Sequence, residues 1–570
     1  MSTLRLAPLA AALILTGACS APAADEAPAG HEAERPHIVL IMADDMGYTD
    51  IGCYGSEIRT PHLDALAAGG VRMTQFYNTS RCCPTRAALL TGLYSHQAGI
   101  GLMEGDRGTD AYRGILNRSC VTLAEALGEA GYGTYMAGKW HVTNQWKPEG
   151  PKDSWPLGRG FERFYGTIRG AGSFWDPATL CRDDTYITPE SDPELSSDGW
   201  YYTDAISDQA ARFAREHLEA SEEPLFLYVA YTSAHRPMHA PESWIARYRG
   251  VYDEGYAPLR ATRLERARRL GVLEDSWPLS SPTDDWAQNP HPAWDARNME
   301  TYAAMVSCMD AGIGRILETL EQAGALENTL VIYLQDNGAC AEGMGRGSNE
   351  AKRQPDLEGR MAADQLQPQI WPPMWTRDGE WVSTGPEAMA GPADSYVAYG
   401  RGWANASNTP FRGFKHDAYE GGLSTPFIVH WLARYGPAHA GSIVDPPAHL
   451  IDLMPTLLDA AGAAYPASYG GNAIQPMEGV SLLDAWAGSD LERPAPLAFE
   501  HHGNLALRDG RWKIVSQYRA KQPRTWELYD MERDRTEQTD LATQHPERLQ
   551  AMVTAWQTWA DRVGVREWPF

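Results

Sequence analysis

His37-Ile38-Val39-Leu40-Ile41-Met42-Ala43 is a nearly unbroken apolar run that ends in Asp44-Asp45, and its reading decides the fold. A strand with one wet face alternates apolar and polar residues; one that does not alternate is covered on both faces, as in a parallel sheet between layers of helices. Three more such runs follow: Leu225 to Tyr231, Thr329 to Leu334, and Pro426 to Trp431. Helical segments lie between them. Thr60-Pro61 starts one through Leu63, Leu66 and Ala67, with Thr60 as its cap and Gly69-Gly70 as its stop. Thr122 to Ala130 and His449 to Ala461 read as two others. Tyr302, Met305, Met309, Ile313, Ile316 and Leu320 recur at helical spacing up to Gly324. Strands that alternate with helices predict an α/β domain built on a large, mostly parallel sheet.

The strand ends carry the chemistry. The first run delivers Asp44-Asp45, and the run at 329–334 delivers Gln335-Asp336-Asn337-Gly338. One acidic pair after a strand reads as a solvated turn. Two such pairs at the carboxyl ends of buried strands, where α/β sheets bind ligands, read as a cation site. Three carboxylates and an amide oxygen, with no soft donor, suit Ca²⁺ or Mg²⁺.

Cys82-Cys83-Pro84-Thr85-Arg86, with Ala87-Ala88-Leu89-Leu90 behind it, places a proline in the first turn of a helix and Cys82 just ahead of its N-terminus, a natural anion site. Further along come Gly138-Lys139-Trp140-His141, then Thr232-Ser233-Ala234-His235 and Phe411-Arg412-Gly413-Phe414-Lys415. With the two acidic pairs, and in this order, these motifs resemble the type I, formylglycine-dependent sulfatases of the alkaline phosphatase superfamily, in particular the bacterial arylsulfatases. The resemblance implies that Cys82 is oxidised by a formylglycine-generating maturation enzyme to Cα-formylglycine. It implies a metal, Ca²⁺ with Mg²⁺ as the alternative, on Asp44, Asp45, Cys82, Asp336 and Asn337. Arg86, Lys139 and Lys415 take the sulfate, His141 lies near the formylglycine, and His235 serves the leaving group. The activity implied is hydrolysis of sulfate esters. Alternatives are a phosphonate monoester or phosphodiester hydrolase of the same superfamily, or a non-catalytic lipoprotein that binds sulfated glycans. The sequence departs from the family pattern at Gln335, where serine is common, and at Cys83, which is expected to point away from the site.

A formal charge of −25 excludes nucleic acid as a partner, because phosphate binding needs a basic face. Residues 1–19 read as an export signal: Arg5, a short apolar run from Leu6 to Leu15, and Thr16-Gly17-Ala18-Cys19, which resembles a bacterial lipobox. The reading places the protein in the periplasm or on the outer membrane, with a lipid on Cys19 as its sole membrane contact and simple signal cleavage as the alternative. Residues 20–35 are an Ala-, Pro- and Glu-rich tether. In an oxidising compartment Cys53, Cys83, Cys120, Cys181, Cys308 and Cys340 are candidates for disulfides. The catalytic domain spans 36–490. Within it, the patternless stretch from Cys340 to Asn408 reads as a wall of the substrate pocket, with Trp371, Trp375, Trp381 and Trp403 as aromatic surfaces. Residues 491–570 form a smaller α+β subdomain. Its short strands at Leu497–His501, Leu505–Leu507, Trp512–Tyr518 and Trp526–Tyr529 make an antiparallel sheet, and its last helix starts at Pro546.

Overall fold

The computed structural model describes residues 35–197, 199–346 and 353–569. The readings made on 1–34 (signal, lipobox and nearly all of the tether) lie outside the described residues. Among those described, no helix is long and apolar enough to cross a membrane.

Strand β1 (His37–Ala43) lies near the middle of an 11-stranded sheet, and its burial explains why its sequence does not alternate. Ile38, Leu40 and Met42 enter one core, while Val39, Ile41 and Ala43 enter the core on the opposite face. The other strands of this sheet are β2 (Val71–Tyr77), β3 (Gly133–Lys139), β4 (Arg163–Thr167), β5 (Leu180–Arg182), β6 (Thr185–Tyr186), β7 (Leu225–Ala230), β8 (Thr329–Gln335), β9 (Ser424–His430), β10 (Ser442–Val444) and β11 (Ala448–His449). Their order is β10-β2-β9-β8-β1-β7-β3-β4-β5-β6, with β11 also on β2. β1 runs parallel to β7 and β8, and β3 parallel to β7 and β4. β9 is antiparallel to both β2 and β8. The sheet is therefore mixed and mostly parallel. The ends of β1, β3, β7 and β8 open toward one edge, where the motifs meet.

Helices α1 (Pro61–Gly69), α4 (Tyr202–Ala220) and the long helix Pro292–Gln322 cover one face. Helices α2 (Cys82–Thr91), α3 (Leu123–Glu129) and Leu453–Ala461 cover the other. The long helix begins at Pro292, earlier than its apolar stripe suggests, because proline is at home in a first turn. The Arg-, Trp- and Pro-rich segment 250–297 contains a helix, Tyr256–Arg269. Thr60 does not cap α1 with its hydroxyl, which bonds Asp64 and the Gly52 N–H instead. α3 starts with a capping box in which Thr122 and Glu125 each bond the other's backbone N–H. The seven described cysteines, Cys53 to Cys340, are buried free thiols, so the disulfides expected for the export reading are absent from them.

A small hairpin, β12 (Ser468–Tyr469) and β13 (Asn472–Ala473), precedes the antiparallel sheet β14 (Leu497–His501), β15 (Asn504–Asp509), β16 (Trp512–Ser516) and β17 (Glu527–Asp530). This sheet and the last helix, Pro546–Val563, share the core that lies under α2. A buried ion network ties it to the main body. Lys513 Nζ on β16 lies 2.8 Å from both Glu420 Oε1 and Glu537 Oε1, and Arg535 Nε lies 2.9 Å from Glu420 Oε2. Burial pushes Glu420 up, but Lys513 and Arg535 outweigh it and hold the carboxyl at about 2. Burial lifts Glu537 to about 7 in spite of Lys513.

Removing one member of a buried ion network leaves Glu537 without its cation and Glu420 with Arg535 alone, so Lys513→Met should lower unfolding free energy by about 3–5 kcal/mol. The readout is the denaturant midpoint, and a wild-type midpoint would refute the role given to the network. Glu420 also sets a pH window. Its share of the stability is present above its unfolded value, about 4.3, and is lost as pH falls through about 2.

Candidate active site

Four strand ends and one helix N-terminus converge. β1 delivers Asp44 and Asp45, β8 delivers Asp336 and Asn337, β3 ends at Lys139 with His141 just beyond, and β7 leads to His235. All these residues are buried, as are Cys82, Arg86 and Lys415. Asp45 adopts a left-handed φ of 58° and His141 likewise, so each turns its side chain away from the direction of its strand.

Three cations meet three carboxylates. Lys139 Nζ donates to Asp44 Oδ2 at 2.6 Å, and Lys415 Nζ to Asp45 Oδ1 at 2.6 Å. Arg86 donates from Nη2 to Asp336 Oδ2 at 2.9 Å and from Nη1 to the Lys139 carbonyl at 3.1 Å. Lys415 stays a cation: burial lowers its pKa, but Asp45 outweighs burial and raises it above the usual range. Arg86, expected to hold sulfate, has its two Nη atoms on Asp336 and the Lys139 carbonyl, which braces the strand ends, while its Nε is buried without a hydrogen-bond partner.

Asp44 Oδ1, Asp45 Oδ2 and Asn337 Oδ1 are buried with no hydrogen-bond partner. Asn337 Nδ2 donates to Asp45 Oδ1 and to the Gly338 carbonyl, which leaves its oxygen as the unused atom. Burial, and then Asp336, push the Asp44 carboxyl well above the carboxylate range, so the protein's own cations do not satisfy it. Orphaned hard oxygens in a charge-starved site fit a divalent cation of the calcium or magnesium type. Ligand atoms of Asp44, Asp45 and Asp336 lie within 4.8 Å of one another.

Cys82 is the first residue of α2, with Arg81 at the N-cap, so Pro84 takes the third helical position. No N–H in that turn has an intrahelical acceptor, and proline is tolerated there. A hydrogen bond from Cys83, together with Lys139, His141 and Lys415, draws the Cys82 thiol well below its ordinary value against burial. Burial and Cys82 push Cys83 well up. Cys83 therefore does not point away as expected: ligand atoms of Cys82, Cys83 and His141 lie within 4.8 Å of one another.

His235 donates from Nδ1 to the Arg236 carbonyl at 2.7 Å, and its Nε2 lies 3.5 Å from Asp45 Oδ2. Burial holds the ring neutral, with a value of about 3 despite Asp45, and Lys415 and Lys139 add to the depression. Burial also lowers His141. Gly170 is required here, because a Cβ would fall 2.0 Å from His141 Cε1.

Sequence reasoning missed a second ring of residues. Glu104 Oε1 lies 3.4 Å from His141 Nε2, and Glu104 Oε2 accepts from Arg169 Nε at 3.4 Å. Glu342 pairs with Arg236 and lies 3.6 Å from Arg81. Only adjacency to Cys82 and His235 marks Arg81 and Arg236 in the sequence; nothing marks Glu104 or Glu342. Of the four tryptophans read as pocket surfaces, Trp403 and Trp381 are buried, Trp375 is half-buried and Trp371 is exposed.

A family model described as "Sulfatase" matches residues 36–463, and one described as "N-sulphoglucosamine sulphohydrolase, C-terminal" matches 414–557. An arylsulfatase of Klebsiella aerogenes is 34% identical over 467 residues, 79% of this chain and 92% of the relative. Among solved structures, the crystal structure of Ps i-CgsB in complex with k-i-k-neocarrahexaose is similar, with a TM-score of 0.61 at 23% identity over 92% of this chain and 93% of the other. The phosphonate monoester hydrolase of Agrobacterium radiobacter is similar with a TM-score of 0.53 at 19% identity, over 93% of this chain and 96% of that one.

If the orphaned oxygens hold a cation, Asn337→Ala should weaken Ca²⁺ binding by at least about tenfold, the scale seen when a site's ligands lose support. Calorimetric titration of chelator-treated protein is the check. An unchanged dissociation constant would remove Asn337 from the ligand set.

Proposed function

The chain belongs to the sulfatase family and is a sulfuric ester hydrolase, and on that footing we propose that its catalysis runs through Cys82 matured to Cα-formylglycine. The observation that carries the reading is the setting of Cys82, buried at the start of α2 in the field of Lys139, His141 and Lys415. The maturation enzyme supplies the oxidation, and the hydrated aldehyde presents two hydroxyls on one carbon. Asp44, Asp45, Asp336 and Asn337, with the oxygen at residue 82, would hold a divalent cation, Ca²⁺ in preference to Mg²⁺. When bound, that cation supplies positive charge that acidifies a hydroxyl and neutralises sulfate.

In this mechanism one hydroxyl at residue 82 attacks sulfur as the bond from sulfur to the leaving oxygen breaks. Lys139 and Lys415 hold the sulfate oxygens while charge shifts among them, and Arg86 keeps Lys139 and Asp336 in place. His235 gives the departing oxygen its proton. Because Nδ1–H is committed to the Arg236 carbonyl, that proton has to sit on Nε2, which calls for an imidazolium. Burial holds the ring neutral and the lysines add to that, and an anionic ester offsets the lysines, so substrate itself favours the protonated form. His141 takes the proton of the second hydroxyl, the C–O bond breaks, sulfate leaves and the aldehyde re-forms.

Arylsulfatase-like esters and sulfated sugars are the substrate classes. The Klebsiella arylsulfatase supports the first, and similarity to an N-acetylgalactosamine-6-O-sulfatase of Bacteroides thetaiotaomicron, 25% identical over 567 residues, supports the second. The signal-like segment supports export to the periplasm or outer membrane, with a lipid on Cys19 as the anchor. A ratio of aryl sulfate to phosphodiester turnover well above one is expected, and the reverse would favour the phosphonate-hydrolase alternative.

Active enzyme should show a loss of about 18 Da at residue 82, or its hydrate, by peptide mass spectrometry. Cys82→Ser should be inactive in turnover, since serine lacks the second hydroxyl. Two intact thiols at 82 and 83 in active protein would refute the mechanism. His235→Ala should slow esters of poorly acidic alcohols by about 10²–10⁴-fold and barely affect esters of acidic phenols. Equal losses across the leaving-group series would sink the assignment.

A further inference from the structure

Among the described residues, and outside those used above, a trio of histidines from two distant segments forms a further group of ligating side chains. His416 follows Lys415. His501 ends β14, and His502 with Gly503 makes the two-residue turn into β15, where His501 pairs with Asn504. Asn504 Nδ2 donates to the His416 carbonyl at 2.8 Å, so protein contacts alone already bring the segments together. The ring centroids of His416 lie 5.4 Å from those of both His501 and His502, which are 4.1 Å from each other, and Trp568 stacks on His502 at 4.6 Å. One ring nitrogen from each histidine lies within 4.8 Å of the other two.

We propose that His416, His501 and His502 form a second cation site, for a borderline transition ion of the Zn²⁺ class, which clamps the Lys415 segment to the β14–β15 turn. His501 is only 2% exposed, yet neither of its ring nitrogens has a hydrogen-bond partner, and His416 Nδ1 is also buried and unpartnered. A neutral imidazole always carries one N–H and one lone pair, and leaving both unsatisfied in the interior is destabilising unless a ligand takes them up. Burial lowers all three imidazoles, which keeps them in the form that ligates. Three imidazole nitrogens with no thiolate or carboxylate select zinc, copper or nickel over calcium and leave a position open.

His416 also has the means to turn its Nδ1 toward a metal. Its Nε2 now accepts from Arg81 Nη1 at 2.8 Å, while Glu342 Oε1 lies 3.7 Å from the same nitrogen. With a metal on Nδ1, the ring proton moves to Nε2 and is donated to Glu342. Arg81, 3.6 Å from that carboxylate, keeps it as a partner. The result is a carboxylate–histidine–metal arrangement that fixes tautomer and ring orientation together.

The test uses full-length, chelator-treated protein in saturating Ca²⁺, so that the carboxylate site is filled before Zn²⁺ is titrated by calorimetry. One further equivalent of Zn²⁺ should bind and raise the melting temperature. Co²⁺ in its place should give visible ligand-field bands without a sulfur-to-cobalt charge-transfer band. His502→Gln, on a partly exposed turn, and His501→Gln should each weaken Zn²⁺ by about 10–100-fold or more. A thiolate band would assign the ion to Cys82 and Cys83 and overturn the proposal, and this readout comes from the wild-type chain whether or not the variants fold. Absence of stoichiometric Zn²⁺ binding, or an affinity unchanged in His502→Gln, would also overturn it.

Discussion

The candidate active site depends on holding three buried carboxylates beside three cations. Asp44, Asp45 and Asp336 are each no more than 1% exposed, and burial of a lone carboxylate would protonate it. Lys139, Lys415 and Arg86 answer them one for one, each within hydrogen-bonding distance. The balance is incomplete at Asp44, and the unused oxygens show where more positive charge belongs. A site that is neutral by its own residues becomes a net cation once a divalent ion enters, which a pocket for an anionic ester in so acidic a protein requires.

That charge arrangement explains why so much of the site was legible in the sequence. Strands buried on both faces have to be apolar throughout, so the polar residues that follow Ala43, Leu334 and Tyr231 stand out, and the candidate site residues Asp44, Asp45, Asp336, Asn337 and His235 are among them. The partners of those residues were not legible. Glu104, Arg169 and Glu342 sit on irregular segments, and the contacts of Glu342 with Arg81 and of His416 with His501 join positions that no periodicity relates.

The stretch from 341 to 408 shows the same limit in another form. Its tryptophans look alike in sequence, but Trp403 donates its indole N–H to the Asp295 carbonyl inside the core, whereas Trp371 faces solvent with the Arg169 guanidinium 5.9 Å from its ring. Which indole packs and which is presented is decided by tertiary contact. Cys83 misled for a related reason: motif spacing singles out residue 82 but says nothing of where its neighbour's sulfur goes, and the two thiols share a hydrogen bond.

The burial of Cys82 sets an order of events during synthesis. In the folded chain its side chain is 1% exposed beneath Lys139, Lys415 and the strand ends, out of reach of any macromolecular catalyst. An enzyme that oxidises it has to act while the segment around Pro84 is still extended, before the sheet closes over it. The chain itself provides an interval. Lys415 and Glu420 are encoded more than three hundred residues after Cys82, and the partners that lock Glu420, Lys513 and Arg535, come near the very end. The pocket therefore cannot be sealed until almost the whole polypeptide has left the ribosome, and late closure leaves the Cys82 segment accessible for most of its synthesis.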